Sequence, residues 1–314
     1  MNEHSDRFSR KLRHGHFAIC VEMTAPAGGG SALGDKASFV RTMAERELAD
    51  AVDIVDGVPG RPRMFPEHLI CLLRDRLGWP QNGDGDGVEW APHLLSRDMN
   101  AFALRNRIAG LRALGIRNVL ATAGDPPEAH SVSPTPPTRV ANPDTPEMIR
   151  MFANEFVESS AHRGAHLGEG PEFGVTVGAT ACPEAADMDL ELTRLTRKVE
   201  AGASYVLTQA VFANSALAPL EGFRGKTPLL PGVMILKSAR HVERVARIPG
   251  LVVPEHVRQN IARFDSPKDQ EKVGVELADR LARELKESGW PGIYLMAAAS
   301  PQGALTVLEE LKRQ

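Results

Sequence analysis

The sequence predicts a (βα)8 barrel, and three observations predict it. Apolar, β-branched runs alternate with longer amphipathic stretches, as βαβ units on a parallel sheet require. Eight such runs can be counted, each followed by helical material, which favours a closed cylinder over an open doubly wound sheet. No G-x-G-x-x-G opens a helix after the first run, as an open dinucleotide-binding sheet would want. The 314 residues suit one barrel domain with insertions, spanning 1–314, with 1–15 as a flexible or helical N-terminal extension.

The strands are expected at Phe17–Glu22, Val52–Asp56, Val88–Leu95, Arg117–Ala121, Glu172–Gly178, Tyr205–Thr208, Pro228–Met234 and Gly292–Met296. Between them, Asn100–Ala113 has helical apolar spacing, with Phe102, Ile108 and Leu111 expected to face inward and Gly115 ending the helix. Asp187–Ala201 is a second such helix, opened by Asp187 or Asp189 as N-cap and stopped at Gly202. Gly28, Gly29 and Gly30 read as a flexible loop. Pro126–Asp144, rich in Pro, Ser and Thr, is a long loop after strand 4, a lid or a disordered insertion. Val253–Ser288 offers two helices with a break near Asp265-Ser266-Pro267, which adds an extra helix before the last strand. The stretch Gln81–Gly87 (QNGDGDG) lacks the glutamate of a calcium loop and reads as a solvated turn.

Composition narrows the class of function. Hydrophobic residues make up 42% and charged residues 25%, the mix of a globular protein with a sizeable core. A net charge of −3, with both signs spread along the chain, gives no basic face for nucleic acid. No segment reaches the eighteen apolar residues of a membrane span, and the first twenty residues lack an apolar signal core, so a cytoplasmic location is expected. Cys20, Cys71 and Cys182 are odd in number and never paired as C-x-x-C, and the ten histidines form no ligand motif. No disulfide framework or metal centre is therefore expected.

In such a barrel the reactive groups project from the carboxyl ends of the strands. The ionisable or amide residues there are Glu22, Asp56, His93 with Arg97 and Asp98 beyond it, Asp125 and Gln209. Glu22 ends an apolar strand (AICVE), where loss of hydration raises a carboxyl pKa and keeps a general acid protonated near neutral pH. The same residue also reads as a structural glutamate paired with a Lys or Arg. Asp125, in Ala123-Gly124-Asp125-Pro126-Pro127, reads equally as a ligand-facing carboxylate or a tight turn. Gln209 offers a donor and an acceptor in fixed geometry, or simply closes its strand.

With these residues in view, the chain resembles the methylenetetrahydrofolate reductase family from about Phe17 to Leu311. The matching features come in family order: Glu22-x-x-x-Pro26, His93-Leu-Leu-Ser-Arg-Asp-Met-Asn100, Leu114–Leu120 leading to Gly124-Asp125-Pro126-Pro127, Arg197–Ala203, Thr208-Gln209, Pro231-Gly232-Val233 and Ile248–Pro254. Arg97-Asp98-x-Asn100 and Cys182-Pro183 look closer to the branch found fused to methyltransferases.

That resemblance implies a barrel holding FAD, reduced by NAD(P)H, that passes hydride to the one-carbon bridge of 5,10-methylenetetrahydrofolate. It implies Glu22 as the acid that protonates N10, Asp125 as the aspartate near flavin and pterin, where it modulates the flavin potential, and Gln209 as the pterin contact. Asp56, His93, Gly124, Asp125, Arg197 and Lys198 fall on flavin-contacting positions, the basic pair suiting the diphosphate. The chain departs from the family pattern at Gly178–Pro183, where the short branch has a tyrosine-proline-glutamate-x-histidine segment. It departs again at Ala210-Val211 and at Met234–Lys237, where the family commonly has aromatics and a proline-containing turn. Two alternatives therefore stand beside the flavoenzyme: flavin-free transfer directly from NAD(P)H, and a folate-binding partner of a corrinoid or methyltransferase system. A homo-oligomer or a methyltransferase partner is compatible with either.

Overall fold

The computed structural model describes residues 7–26, 31–57, 63–83, 85–97, 99–124, 142–161 and 176–313. Eight parallel strands pair in sequence order: β1 (Ala18–Thr24), β2 (Ala51–Val55), β3 (Glu89–Leu95), β4 (Asn118–Thr122), β5 (Thr176–Ala181), β6 (Tyr205–Val211), β7 (Leu229–Met234) and β8 (Gly292–Met296). Because β1 bonds both β2 and β8, the sheet closes and presents no edge.

Helix α1 (Arg7–His14) precedes β1, and α2 (Ser31–Glu45), α3 (Pro66–Leu77), α4 (Ala101–Ala113), α5 (Thr145–Ala161) and α6 (Met188–Glu200) follow β1 to β5 in turn. After β6 the chain forms a 3₁₀ segment, Asn214–Phe223, with Pro219 inside it; proline cannot donate the backbone bond that a regular α-helix needs there. Three helices separate β7 from β8: α7 (Ala239–Val245), α8 (Glu255–Ala262) and α9 (Pro267–Glu287), and α10 (Pro301–Lys312) follows β8. The break at Asp265-Ser266-Pro267 is where the sequence places it, with Pro267 at the start of α9, a position where its missing N–H costs nothing.

Alternate strand residues serve two cores. Val21, Met23, Val52 and Ile54 pack outward against the helices, while Cys20, Leu120, Leu207, Leu230 and Tyr294 fill the cylinder. Gly178 leaves room for that filling, since a Cβ there would lie 2.3 Å from the Tyr205 ring.

The N-terminal extension is helical and closes the amino end of the cylinder. Phe8 is fully buried and meets the Tyr205 ring edge-on at 5.3 Å. Its amide, unpaired within the helix by position, donates to Glu89 Oε1 at 2.5 Å, and Ser9 donates to Asn118 Oδ1 at 2.8 Å. Arg7 and Lys11 bracket Asp50 at 2.7 and 2.9 Å.

Several expectations are corrected. Phe102 does not face inward: it is 74% exposed on the first turn of α4, and Leu104, Ile108 and Leu111 form the buried stripe. Asn100 stands outside that helix as its N-cap, accepting from Ala103 N at 2.9 Å. The stretch Gln81–Gly87 is not merely a solvated turn, because Asp86 is buried and receives Arg74 Nε at 2.8 Å and Trp90 Nε1 at 2.6 Å. Strands β1 and β6 run on to Thr24 and Val211, so Glu22 and Gln209 lie inside strands and not at their ends. The expected caps Asp187 and Gly202 are as read: Asp187 accepts from Leu190 N at 2.9 Å, and Gly202 has φ 102°. Gly28–Gly30, the start of the expected fifth strand (172–175) and most of the long loop after β4 (125–141) lie outside the described residues.

Candidate active site

Four polar side chains from β1, β2, β3 and β8 meet inside the cylinder. Glu22 and Asp53 are register partners on β1 and β2. The Tyr294 hydroxyl, from β8, lies 2.7 Å from Asp53 Oδ2 and 3.1 Å from Glu22 Oε2. His93 Nε2, from β3, lies 2.8 and 3.0 Å from the two Asp53 oxygens. Asp53 is wholly buried, and Tyr294 and His93 are 5% and 8% exposed. Their proximity follows from the fold, because β8, β1, β2 and β3 are neighbours and inward positions recur every second residue.

Burial and the adjacent Asp53 carboxylate push the Glu22 carboxyl up to about 7, against weaker lowering by the Tyr294 hydrogen bond and by His93. For His93, burial opposes the charged form, yet the charge and hydrogen bond of Asp53 outweigh it and raise the imidazole above its ordinary value. Tyr294 is pushed well up by burial and by both carboxylates, so it stays a neutral hydroxyl. The arrangement sets the raised Glu22 carboxyl beside a second buried carboxyl that Tyr294 and His93 both hydrogen-bond. It can deliver a proton near neutral pH.

The other expected residues are placed as follows. Asp56 does not join this network: it pairs with Arg107 at 3.2 Å. That guanidinium also binds both Glu67 oxygens, at 2.7 and 2.6 Å, and stacks on Phe65 at 4.5 Å. Burial raises the Asp56 carboxyl, with Arg107 acting against it. Gly124 has φ 83°, and an added Cβ would press on Leu95 and Arg97 at 3.3 and 3.4 Å. Asp125 lies outside the described residues.

Gln209 sits where the β6–β7 register slips between Leu207 and Ala210, so one extra residue bulges from β6. Thr208 Oγ1 accepts from Gly232 N at 2.9 Å across that bulge. On α6, Arg197 forms an exposed ion pair with Asp144 at 2.7 Å. Lys198 donates to the Thr180 carbonyl at 2.7 Å, and burial lowers its pKa. Phe212 and Met234, at the ends of β6 and β7, line an apolar cavity of about 280 Å³ that reaches under α8 and α9.

Sequence reasoning missed Asp53 and Tyr294. One signal was available for each: Asp53 is the lone charge in the apolar run Ala51–Val55, and Tyr294 is one of two tyrosines in the chain, both in the barrel filling. Among the described residues no group of three or more His, Cys, Asp or Glu is arranged to hold a metal, and no helix is long and apolar enough to cross a membrane.

Residues 7–312 match the methylenetetrahydrofolate reductase family. The chain belongs to that family. Among its relatives in the methylenetetrahydrofolate reductase family is a probable methylenetetrahydrofolate reductase (NADPH) of Caenorhabditis elegans, 24% identical over 217 residues, covering 67% of this chain and 30% of that one. The 5,10-methylenetetrahydrofolate reductase of Escherichia coli K12 is 26% identical over 248 residues, covering 76% and 72%. Methylenetetrahydrofolate reductase 2 of Saccharomyces cerevisiae is 22% identical, covering 86% and 43%. The chain thus spans less than half of the worm and yeast relatives and nearly three quarters of the bacterial one. A Clostridium thermocellum protein described as binding two copies of 5-methyl-5,6,7,8-tetrahydrofolic acid superposes with a TM-score of 0.59 at 12% identity, covering 98% and 99% of the two chains. An oxaloacetate acetylhydrolase superposes at 0.53 and 11%. Those two likenesses establish the barrel fold and nothing finer.

Proposed function

We propose that this chain reduces 5,10-methylenetetrahydrofolate to 5-methyltetrahydrofolate, with NAD(P)H as electron donor, FAD as hydride carrier, and Glu22, Asp125 and Gln209 acting on the folate. The observation that carries the reading is the carboxyl of Glu22, kept protonated to about pH 7 inside the barrel of a methylenetetrahydrofolate reductase family member. Opening the bridge breaks the bond between its carbon and N10, and N10 then needs a proton. Glu22 supplies it, leaving the carbon as an iminium on N5 that accepts hydride and becomes the methyl group. Gln209, bulged from β6, presents an amide that can both donate to and accept from the pterin edge.

The residues present fit an FAD diphosphate. Arg197 is half exposed, and its single surface ion pair is of the kind worth little, so it is free to exchange Asp144 for a phosphate. Lys198 is a half-buried ammonium bonded to a neutral carbonyl, and an anion would favour its charged form. Gly124, in a left-handed conformation with no Cβ, follows β4, Asp56 follows β2 and His93 lies within β3 between them. FAD, when bound there, supplies a two-electron hydride carrier.

Flavin-free transfer from NAD(P)H is the second reading, favoured by the small residues Gly178–Ala181. A third, a folate-binding partner of a corrinoid or methyltransferase system, has no use for an acid poised at neutral pH. Incubating purified protein with methylenetetrahydrofolate and NADH or NADPH tests the reading. Methyltetrahydrofolate should form, and the visible spectrum of the same sample separates flavoenzyme from flavin-free enzyme. No product with either donor would overturn it.

A further inference from the structure

We propose that His93, Asp53 and Tyr294 form a proton relay that reloads Glu22 from the imidazolium of His93; the proposal rests on the reductase reading above. The geometry is directional. Tyr294 has one hydroxyl proton and two carboxylate neighbours, Asp53 at 2.7 Å and Glu22 at 3.1 Å. While it donates to Asp53, the proton between Tyr294 and Glu22 must sit on Glu22, which then donates to the Tyr294 oxygen. His93 Nε2 meets the same Asp53 oxygen, Oδ2, at 2.8 Å and also Oδ1 at 3.0 Å. The chain therefore reads Glu22–H to Tyr294–H to Asp53, met by His93–H, with no gap wider than a hydrogen bond.

The reaction gives such a chain work to do, beside whatever exchange the partly exposed Glu22 makes directly with its surroundings. Each conversion of methylene- to methyl-folate transfers one hydride and consumes one proton at N10, so Glu22 ends every turnover ionised. In the relay the Tyr294 proton passes to Glu22, the Tyr294 oxygen takes a proton from Asp53, and Asp53 takes one from His93 Nε2. The net change is one proton moved from the imidazolium to Glu22, with Tyr294 and Asp53 restored; solvent then returns a proton to the imidazole. His93, at 8% exposure, is the least buried of the three relay groups. Among the described residues, the charged and titratable groups that act on Glu22 are Asp53, which raises it, and Tyr294 and His93, which lower it; Cys20, pushed well up by burial, is a neutral thiol, and Asp56, paired with Arg107, acts on His93. Tyr294, Asp53 and His93 are positioning residues, since each acts through Glu22.

The test has two parts. First, the Glu22 carboxyl is titrated by ¹³C NMR in folate-free protein, where it should titrate at about 7. Tyr294→Phe, which removes the hydroxyl and keeps the ring, should raise that value, and Asp53→Asn should lower it. Unchanged titration in both variants overturns the relay, and the second variant carries the test if the first does not fold. Second, folate reduction by Tyr294→Phe should fall on the order of a hundredfold in kcat with KM little changed. Its solvent-isotope proton inventory should become linear where the wild type is curved, and a wild-type inventory in the variant overturns the relay. The titration needs no folate, so a wild type that makes no methyl-folate refutes the reaction and not the coupling.

Discussion

Glu22 and Asp53 face each other in register on β1 and β2, inside a cylinder that offers both carboxylates one hydroxyl, that of Tyr294. Two carboxylates that close cannot both ionise cheaply, and the burial-raised Glu22 is the one that keeps its proton. Folate reduction should therefore be fastest below about pH 7 and decline above it as Glu22 ionises. A kcat profile at saturating substrate checks this, and a rate that climbs through pH 8 would refute it.

The same raised carboxyl has a stability consequence. Between its ordinary value of 4.5 and about 7, the folded protein binds more protons at Glu22 than the unfolded chain does. This contribution is present in full below pH 4.5 and is lost as pH rises through 7, amounting to at most roughly 3 kcal/mol. His93, also raised, acts with the same sign. Thermal unfolding should show Glu22→Gln gaining on the wild type from pH 5 to pH 8; parallel curves would contradict this.

Arg74 is 1% exposed and binds Asp86, the Gln81 carbonyl at 2.9 Å and the Leu114 carbonyl at 2.7 Å. Arg74→Met leaves Asp86 buried without this cation and should cost about 3–5 kcal/mol in urea unfolding. Replacing Asp86 by leucine as well should recover part of that loss, because the stranded charge is gone. A cost under about 1 kcal/mol in the single variant would count against the reading.

Gly232 fixes the bulge that carries Gln209. A Cβ there would lie 2.6 Å from the Thr208 carbonyl oxygen and 2.7 Å from that of Gln209, both backbone atoms that cannot swing away. Gly232→Ala should destabilise by about 1–3 kcal/mol and raise KM for folate more than it lowers kcat. Unchanged kinetics would separate Gln209 from substrate binding.

The barrel was legible because eight apolar runs and their helices repeat, and local pattern and topology agree. The helix starts at Asp187 and Pro267 were legible because an N-cap carboxylate and an N1 proline are local signals, whereas the apolar spacing runs Asn100 into the helix that it instead caps. Phe102 misled because an apolar residue in the first turn of a helix satisfies the spacing without facing the core. Asp53 was hidden for a different reason: β2 is buried on both faces, so no alternation marks which residues point into the cylinder, and Asp56 at the strand end drew attention instead. Tyr294 joins Glu22 only through the closure of β8 on β1, a contact 272 residues apart that no local pattern encodes.

The central claim is that Glu22 gives its proton to a bridged folate. Mass-spectrometric measurement of methyltetrahydrofolate, formed from methylenetetrahydrofolate and NAD(P)H by wild type and by Glu22→Gln, tests it most directly. The account predicts product from the wild type and at least a hundredfold less from a folded, donor-binding Glu22→Gln variant. Equal product from the two proteins would contradict it.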